Sequence, residues 1–251
     1  MIHNETIDLL LAHSSVRQYL DKPVPQEVVD TILKCTQRAP TSSYLQSFDI
    51  IQVEDKDKRA ALMEYSGGQK WVVNAPLVFL FCADLHRNDQ LLHPADKNVL
   101  HNTELFTVAV TDAALAAQRA FIAAQALGLG GVIVGGVRNE TAKMARLFGL
   151  PELVFPMFLL CLGYPKSIPA QRPRFETRFI HAVDGYPSLP SREELAAYDD
   201  QVREYFLKHT SDPNEFGWVA RGQHAISVKP RYSVGEFLHS AGFMTKTEPS
   251  E

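Results

Sequence analysis

The sequence predicts a mixed fold of helices and buried strands built as one domain over residues 1–251, and three observations carry that expectation. The chain has 251 residues, 45% of them hydrophobic, which suffices for one sizeable core. Two wholly apolar runs, Ala75 to Ala83 and Val154 to Leu162, have the length of buried strands and fall well short of the ~20 residues that cross a bilayer. Between them, from about Glu104 to Leu127, lies a long stretch rich in alanine, valine, leucine and phenylalanine, apolar on nearly every side and stopped by Gly128.

The elements follow in order. Met1 to Ala12 reads as an amphipathic helix with Ile7, Leu10 and Leu11 on one face, and Val28, Val29, Ile32 and Leu33 mark a second helix that ends near Gln37. Ala39-Pro40-Thr41-Ser42-Ser43 cannot continue that helix and reads as a loop. Ser47 to Val53 alternates as a strand, Asp55 caps a short helix through Met63, and Gly67-Gly68 breaks it. Leu77 to Ala83 is a buried strand. The long helix after it is expected to be buried on all sides, which implies a second subunit over part of it. Gly131 to Val134 reads as a short strand, Gly135-Gly136 as a tight turn, Asn139 as the cap of a helix ending at Gly149, and Val154 to Leu162 as another strand. Proline-punctuated chain then runs to a helix over about Glu193 to Lys208. The tail from Ser211 on, polar with scattered aromatics, reads as an arm that packs on something and not as core.

A net charge of -4 and a pI near 6.1 supply no basic field for nucleic acid or anionic lipid. The start has no basic region before its leucines, arguing against a secretory signal, and the shortness of the apolar runs argues against a membrane span. Cys35, Cys82 and Cys161 are odd in number and mostly set among apolar neighbours, as expected of reduced thiols in a cytoplasmic protein. His86, His93 and His101 lack the spacing and cysteine partners of a zinc site and read as surface histidines, so no metal is expected. There is no G-x-S-x-G elbow for nucleophilic hydrolysis.

Chemistry concentrates in loops. His13, Ser15 and Arg17 leave the first helix together, and Arg17 offers a forked, permanently charged donor to a phosphate or a ring carbonyl. Thr41-Ser42-Ser43 followed by Gln46 could bind phosphate or flavin edges, or satisfy its own backbone. Arg172-Pro173-Arg174 holds two guanidiniums on a stiff backbone, suited to a phosphate or simply solvated. Gly130-Gly131 and Gly135-Gly136 lack the G-x-G-x-x-G spacing of a dinucleotide fingerprint. A bare turn remains, at which a flat ligand can approach the backbone.

Taken together, His13-Ser14-Ser15-Val16-Arg17, Thr41-Ser42-Ser43-Tyr44-Leu45-Gln46, Gly67-Gly68-Gln69-Lys70, Gly130 to Asn139, Arg172-Pro173-Arg174 and Lys229-Pro230-Arg231-Tyr232 resemble the nitroreductase family, in its oxygen-insensitive NADPH nitroreductase and NAD(P)H-flavin oxidoreductase branch. The resemblance implies an α+β sandwich: a mixed sheet flanked by helices, a long buried central helix, and a C-terminal arm from about residue 181 wrapping a partner subunit. It implies a homodimer binding FMN at the subunit seam, with His13, Ser15, Arg17, Gln69, Gly135, Gly136, Val137, Arg172 and Arg174 from one chain. Thr41, Ser42, Ser43 and Leu45 would come from the other. Arg17 would be the catalytic donor toward charge at flavin N1 and O2, with Tyr44 and Arg231 toward substrate. By physics alone the helix start near the glycines would attract phosphate, whereas the family places the ring there. Hydride would pass from NADPH or NADH through flavin N5 to nitroaromatic, quinone or flavin acceptors in a ping-pong cycle. Ser14 stands where the branch usually has arginine and Ile133 where it often has tyrosine. His209 to Trp218 lacks the arginines used for a 2'-phosphate. An FMN-binding redox sensor or flavin carrier with little turnover, and a flavin-free homodimer, are the alternatives.

Overall fold

The computed structural model describes residues 1–210, 216–228 and 230–246. In chain order its regular elements are α1 (Glu5–Leu11), α2 (Gln26–Thr36), β1 (Phe48–Gln52), α3 (Lys56–Tyr65), α4 (Trp71–Asn74), β2 (Leu77–Asp84), α5 (His86–Leu92), α6 (Thr103–Ala126), β3 (Gly130–Val134), α7 (Thr141–Phe148), β4 (Val154–Gly163), α8 (Arg192–His209), α9 (Trp218–Val228) and α10 (Ser233–Ser240). Two compact units form: one from Met1–Leu11, Ser15–Ile168 and the chain from Arg231, the other from Ala12–Ser14 and Pro169–Pro230.

The larger unit is three layers around a sheet of order β1-β2-β4-β3. Alternate residues of β2 face opposite ways. Leu77, Phe79 and Phe81 meet α2, α6 and α10, while Val78, Leu80 and Cys82 meet Leu62 of α3, Val72 of α4 and Met144 of α7. A strand covered on both faces reads as a continuous apolar run, which is why β2 and β4 stood out in the sequence. Burial pushes the Cys82 thiol up and the Cys161 thiol to about 12, so both are inert core groups, whereas Cys35 is only half-buried.

Several expectations need correction. Among the described residues all three strand pairings are antiparallel, not mixed: β2 and β3 run the same way but are not neighbours, because β4 lies between them and runs against both. Helix α6 buries a stripe through Ala109, Ala113, Ala116, Ala120 and Ala124 within its own chain and leaves Ala114, Leu115, Gln118 and Arg119 exposed there, which does not conflict with the expected cover by a second subunit. It is long and apolar enough to cross a membrane, yet its stripe lies on the sheet and Asn102 caps its first turn through the Leu105 amide at 2.7 Å. Asn139 caps no helix. It accepts a hydrogen bond from Arg231 Nε instead, at 2.9 Å. The end of the chain is core as well as arm: α10 seats Leu238, and Phe243, wholly buried, meets the Phe106 ring edge-on at 5.1 Å. His101 is no surface histidine; its Nδ1 lies 2.5 Å from the Gly242 carbonyl oxygen.

The smaller unit is built on aromatic packing. Phe175 stacks on Tyr198 of α8 at 4.1 Å and meets Trp218 of α9 edge-on at 4.9 Å. Ser191 and Glu194 form a capping box at the start of α8, and the Asp199 carboxylate accepts from the Val219 amide at 2.7 Å. Arg178 bridges Glu176 and Glu194. Ser211 to Glu215, part of the His209 to Trp218 stretch that lacks 2'-phosphate arginines, and Lys229 lie outside the described residues.

Candidate functional site

Ser15 and Arg17 flank Val16, whose buried side chain fixes the local path. The Val16 amide donates to the Gly131 carbonyl at 2.8 Å, and a methyl at Gly130 would lie 2.6 Å from Val16 Cγ2, so only glycine admits this approach. Farther on, the Leu20 amide donates to the Tyr164 carbonyl, and the Tyr19 hydroxyl donates to the carbonyls of Val16 and Cys161. Burial raises the Tyr19 hydroxyl far above its ordinary range. The segment thus runs along the β3 and β4 end of the sheet, and Arg17 reaches to 5.4 Å over the Trp71 ring.

Trp71 follows the Gly67-Gly68-Gln69-Lys70 loop, which returns to the β3 end. Gln69 Nε2 donates to the Ser66 carbonyl at 2.8 Å. A methyl at Gly136 would lie 2.6 Å from that same oxygen and 2.7 Å from Gln69 Nε2. Gly135, Gly136 and Val137 form the start of a 3-10 turn, Gly135–Glu140, in which close packing and not a positive φ requires the glycines. Arg138 Nη1 anchors this turn to the Met157 carbonyl, and Arg231 joins it through Asn139. Burial, then the neighbouring Arg231, lowers the Arg138 pKa. Ser66 Oγ and Trp71 Nε1 are buried there without a hydrogen-bond partner. A glycine cradle with a guanidinium, a carboxamide and orphaned polar atoms beside it fits a flat ring with a hydrogen-bonding edge.

A second donor set occupies residues 41–47, just before β1. Asp112, wholly buried in α6, accepts from the Ser42 amide at 3.0 Å and the Ser47 amide at 3.1 Å. Ser43, Tyr44 and Gln46 all have positive φ, and Tyr44 is 82% exposed. In one chain this set adjoins the β1 edge and the glycine turn the β3 edge, strands that are three inter-strand spacings, about 14 Å, apart. Arg17 lines a cleft of ≈ 720 Å³, and Ser43, Tyr44 and Leu45 line another of ≈ 950 Å³.

His13, Arg172 and Arg174 belong to the smaller unit. Tyr205 and Tyr198 of α8 donate to the carbonyls of Ala170 (2.7 Å) and Pro173 (3.4 Å), fixing the loop between them. Arg172 lies 5.3 Å over the Phe206 ring, and Arg174 Nη1 turns back to the carbonyls of Arg172 and Pro173.

The whole chain can be placed among known proteins on this basis. The Nitroreductase family pattern matches residues 10–164, and that of the Nitroreductase family C-terminal domain matches 172–246. The chain belongs to the nitroreductase family. This nitroreductase is 34% identical to a Bacillus subtilis FMN reductase (NADPH) over 96% of its length and 98% of that protein. It is 35% identical to an oxygen-insensitive NADPH nitroreductase of Salmonella typhimurium, covering 96% and 99%. Among solved structures, the NfrA1 nitroreductase from B. subtilis superposes with a TM-score of 0.91 at 33% identity, covering 96% and 100%. The NADPH:FMN oxidoreductase from Vibrio harveyi complexed with NAD+ gives 0.88 at 30%, covering 97% and 100%. Sequence reasoning missed the side chains that hold these loops: Asp112, which takes the Ser42 and Ser47 amides, and Arg87 and Asn88, which donate to the carbonyls of Gln46 and Leu45. Asp112 alone carried a signal, a lone acid inside an apolar helix.

Proposed function

We propose that this nitroreductase works as a homodimer whose seam joins the glycine turn of one chain to the serine loop of the other around FMN. The chain is an NAD(P)H-dependent FMN oxidoreductase. One observation supports the two-chain site above the rest: the serine loop precedes β1 and the glycine turn follows β3, the two opposite edges of one sheet. A second copy would bring them together, and the exposed face of α6, with Ala114 and Leu115 beside Gln118 and Arg119, is a surface for it to cover.

Ser15, Arg17, Gln69 and Gly135 to Val137 would hold the ring, His13, Arg172 and Arg174 the phosphate, and Ser42, Ser43, Thr41 and Leu45 would come from the partner. Bound FMN would carry two electrons from NADPH or NADH to nitroaromatic, quinone or flavin acceptors in two half-reactions sharing one face. Arg17 would stabilise negative charge at the pyrimidine edge, its fixed geometry and charge needing no reorganisation. Tyr44 and Arg231 would border the acceptor. The exposed ring of Tyr44 and the tether of Arg231 to the glycine turn support those roles. The whole chain would act as one functional domain in the cytoplasm, with the region from about residue 181 reaching a partner.

Arg172→Ala and Arg174→Ala should each weaken FMN binding by ~1.5 to 3 kcal/mol, the range for charge-assisted hydrogen bonds. Equal FMN retention on dialysis of both variants would remove them as the phosphate grip. Anaerobic bleaching of the yellow holoprotein by NADPH and NADH in separate cuvettes tests the donor. No bleaching by either would favour a sensor or carrier.

A further inference from the structure

The loop before β1 holds a shape its residues resist. Ser43, Tyr44 and Gln46 have φ of 48°, 58° and 53°, left-handed values on either side of a right-handed Leu45, which non-glycine residues adopt only when their surroundings impose it. Two neighbouring side chains of α5 impose it from the outer side. Arg87 Nη2 donates to the carbonyl oxygens of Gln46 at 2.5 Å and Phe48 at 2.8 Å, while Nη1 pairs with the Asp49 carboxylate. Asn88, almost fully buried, donates from Nδ2 to the Leu45 carbonyl at 2.9 Å and accepts from Ser47 Oγ at 3.2 Å. The carbonyls of Leu45, Gln46 and Phe48 therefore end on two adjacent residues. A planar guanidinium fork suits this task, because it meets several acceptors in one fixed geometry.

The helix that carries the pair is itself pinned. The Asp84 carboxylate accepts from the Arg87 amide at 3.1 Å, and the Leu85 amide donates to the Leu153 carbonyl at 2.9 Å. Strain at the loop is thus balanced against the end of β2 and not against solvent.

We propose that Arg87 and Asn88 are positioning residues for the cofactor: through the carbonyls of Leu45, Gln46 and Phe48 they hold the loop in the backbone shape that presents Ser42, Ser43 and Leu45 to FMN across the seam. This rests on the assignment of those three residues to the cofactor. Without the clamp the loop relaxes toward right-handed backbone, and its hydroxyls and amides lose their alignment.

The test uses the full-length chain and FMN itself, with the dissociation constant read from flavin fluorescence well below the melting temperature. Arg87→Met and Asn88→Ala should each raise it about 10-fold, as expected for loss of a hydrogen-bonded anchor to a buried or charged group. Gln46→Gly, added to Asn88→Ala, should recover at least about 3-fold, because glycine takes the left-handed conformation without strain. If Arg87→Met does not fold, Arg87→Lys replaces it; a point charge in place of the fork should still weaken FMN severalfold. A merely structural clamp would lower the melting temperature, leave FMN affinity alone and show no recovery from the glycine, and that pattern overturns the proposal. Ser43→Ala and Leu45→Ala separate the two levels. If they leave FMN affinity unchanged, the loop does not meet the cofactor; if they weaken it while Arg87→Met, Arg87→Lys and Asn88→Ala do not, the positioning role alone falls.

Discussion

Gly136→Ala tests the glycine turn directly, because the cost can be worked from the distances around it. The added carbon would stand 2.6 Å from the Ser66 carbonyl oxygen, 3.0 Å from Ser66 Cα and 2.7 Å from Gln69 Nε2. Ordinary contact begins near 3.4 Å, so backbone on one side or the other must retreat by most of an ångström. Overpacking of this kind costs about 1–3 kcal/mol. For a chain of this size that corresponds to roughly 2–12 °C in melting temperature. The retreat also displaces Gln69, so FMN affinity should fall together with stability. Gly135→Ala should be milder, since its carbon meets the tip of the Arg138 side chain at 2.9 Å and not backbone. Gly222→Ala in α9 meets nothing within 4 Å and should stabilise by about 0.5–1 kcal/mol. Thermal unfolding of the three apoproteins, followed by FMN titration, gives the order. An unshifted Gly136→Ala, in melting temperature and in affinity, would refute the close packing of the turn against residues 66–69.

Further outcomes follow from the same packing and charges. Phe243→Ala removes a wholly buried ring and should cost ~3–5 kcal/mol in urea unfolding, where an unchanged midpoint would return the chain end to a surface arm. The Asp49 carboxyl is raised to about 7 by burial and by Asp84 beside it, against the pull of Arg87. The folded chain therefore keeps a proton that the unfolded chain releases near pH 4, and this group's stabilisation, complete below about pH 4, declines as pH rises to about 7. Asp49→Asn should flatten that slope, and parallel stability profiles for the two proteins would contradict it. Of the three thiols, Cys35 should be alkylated first in the native protein, with Cys82 and Cys161 reacting on denaturation.

The legible parts of this fold were those whose cause is local or whose burial is complete. Asp55 caps α3 through the Lys58 amide, Gly128 ends α6 with φ of 80° and Gly149 ends α7 with φ of 62°, each by a rule that acts within a few residues. The two inner strands were readable because both faces are covered. Misreadings arose where the deciding partner is remote. Asn139 looked like a cap until Arg231, 92 residues on, took its side-chain oxygen. Phe243 looked like a scattered aromatic because its partner, Phe106, lies in α6. Helix α5 was missed since its residues, His86 to Leu92, show no apolar period, and its value lies in two polar side chains aimed at a loop some forty residues earlier.

The same contrast runs through the candidate site. Groups suited to contacting a ligand, such as Arg17, Ser43 and Arg172, are polar residues in loops, and a resemblance can name them. The groups that fix those loops are buried polar side chains: Asp112 takes two amides into an apolar helix and Asn88 takes a carbonyl into the margin of the core. A buried carboxylate or carboxamide that lost its partners would bear the full cost of desolvation. The loop's strained shape and the helix's polar intruder therefore stabilise each other, and neither would persist alone. Substitutions at Asp112 and at residues 42–47 should for that reason be strongly non-additive, which separates a coupled support from a set of independent contacts.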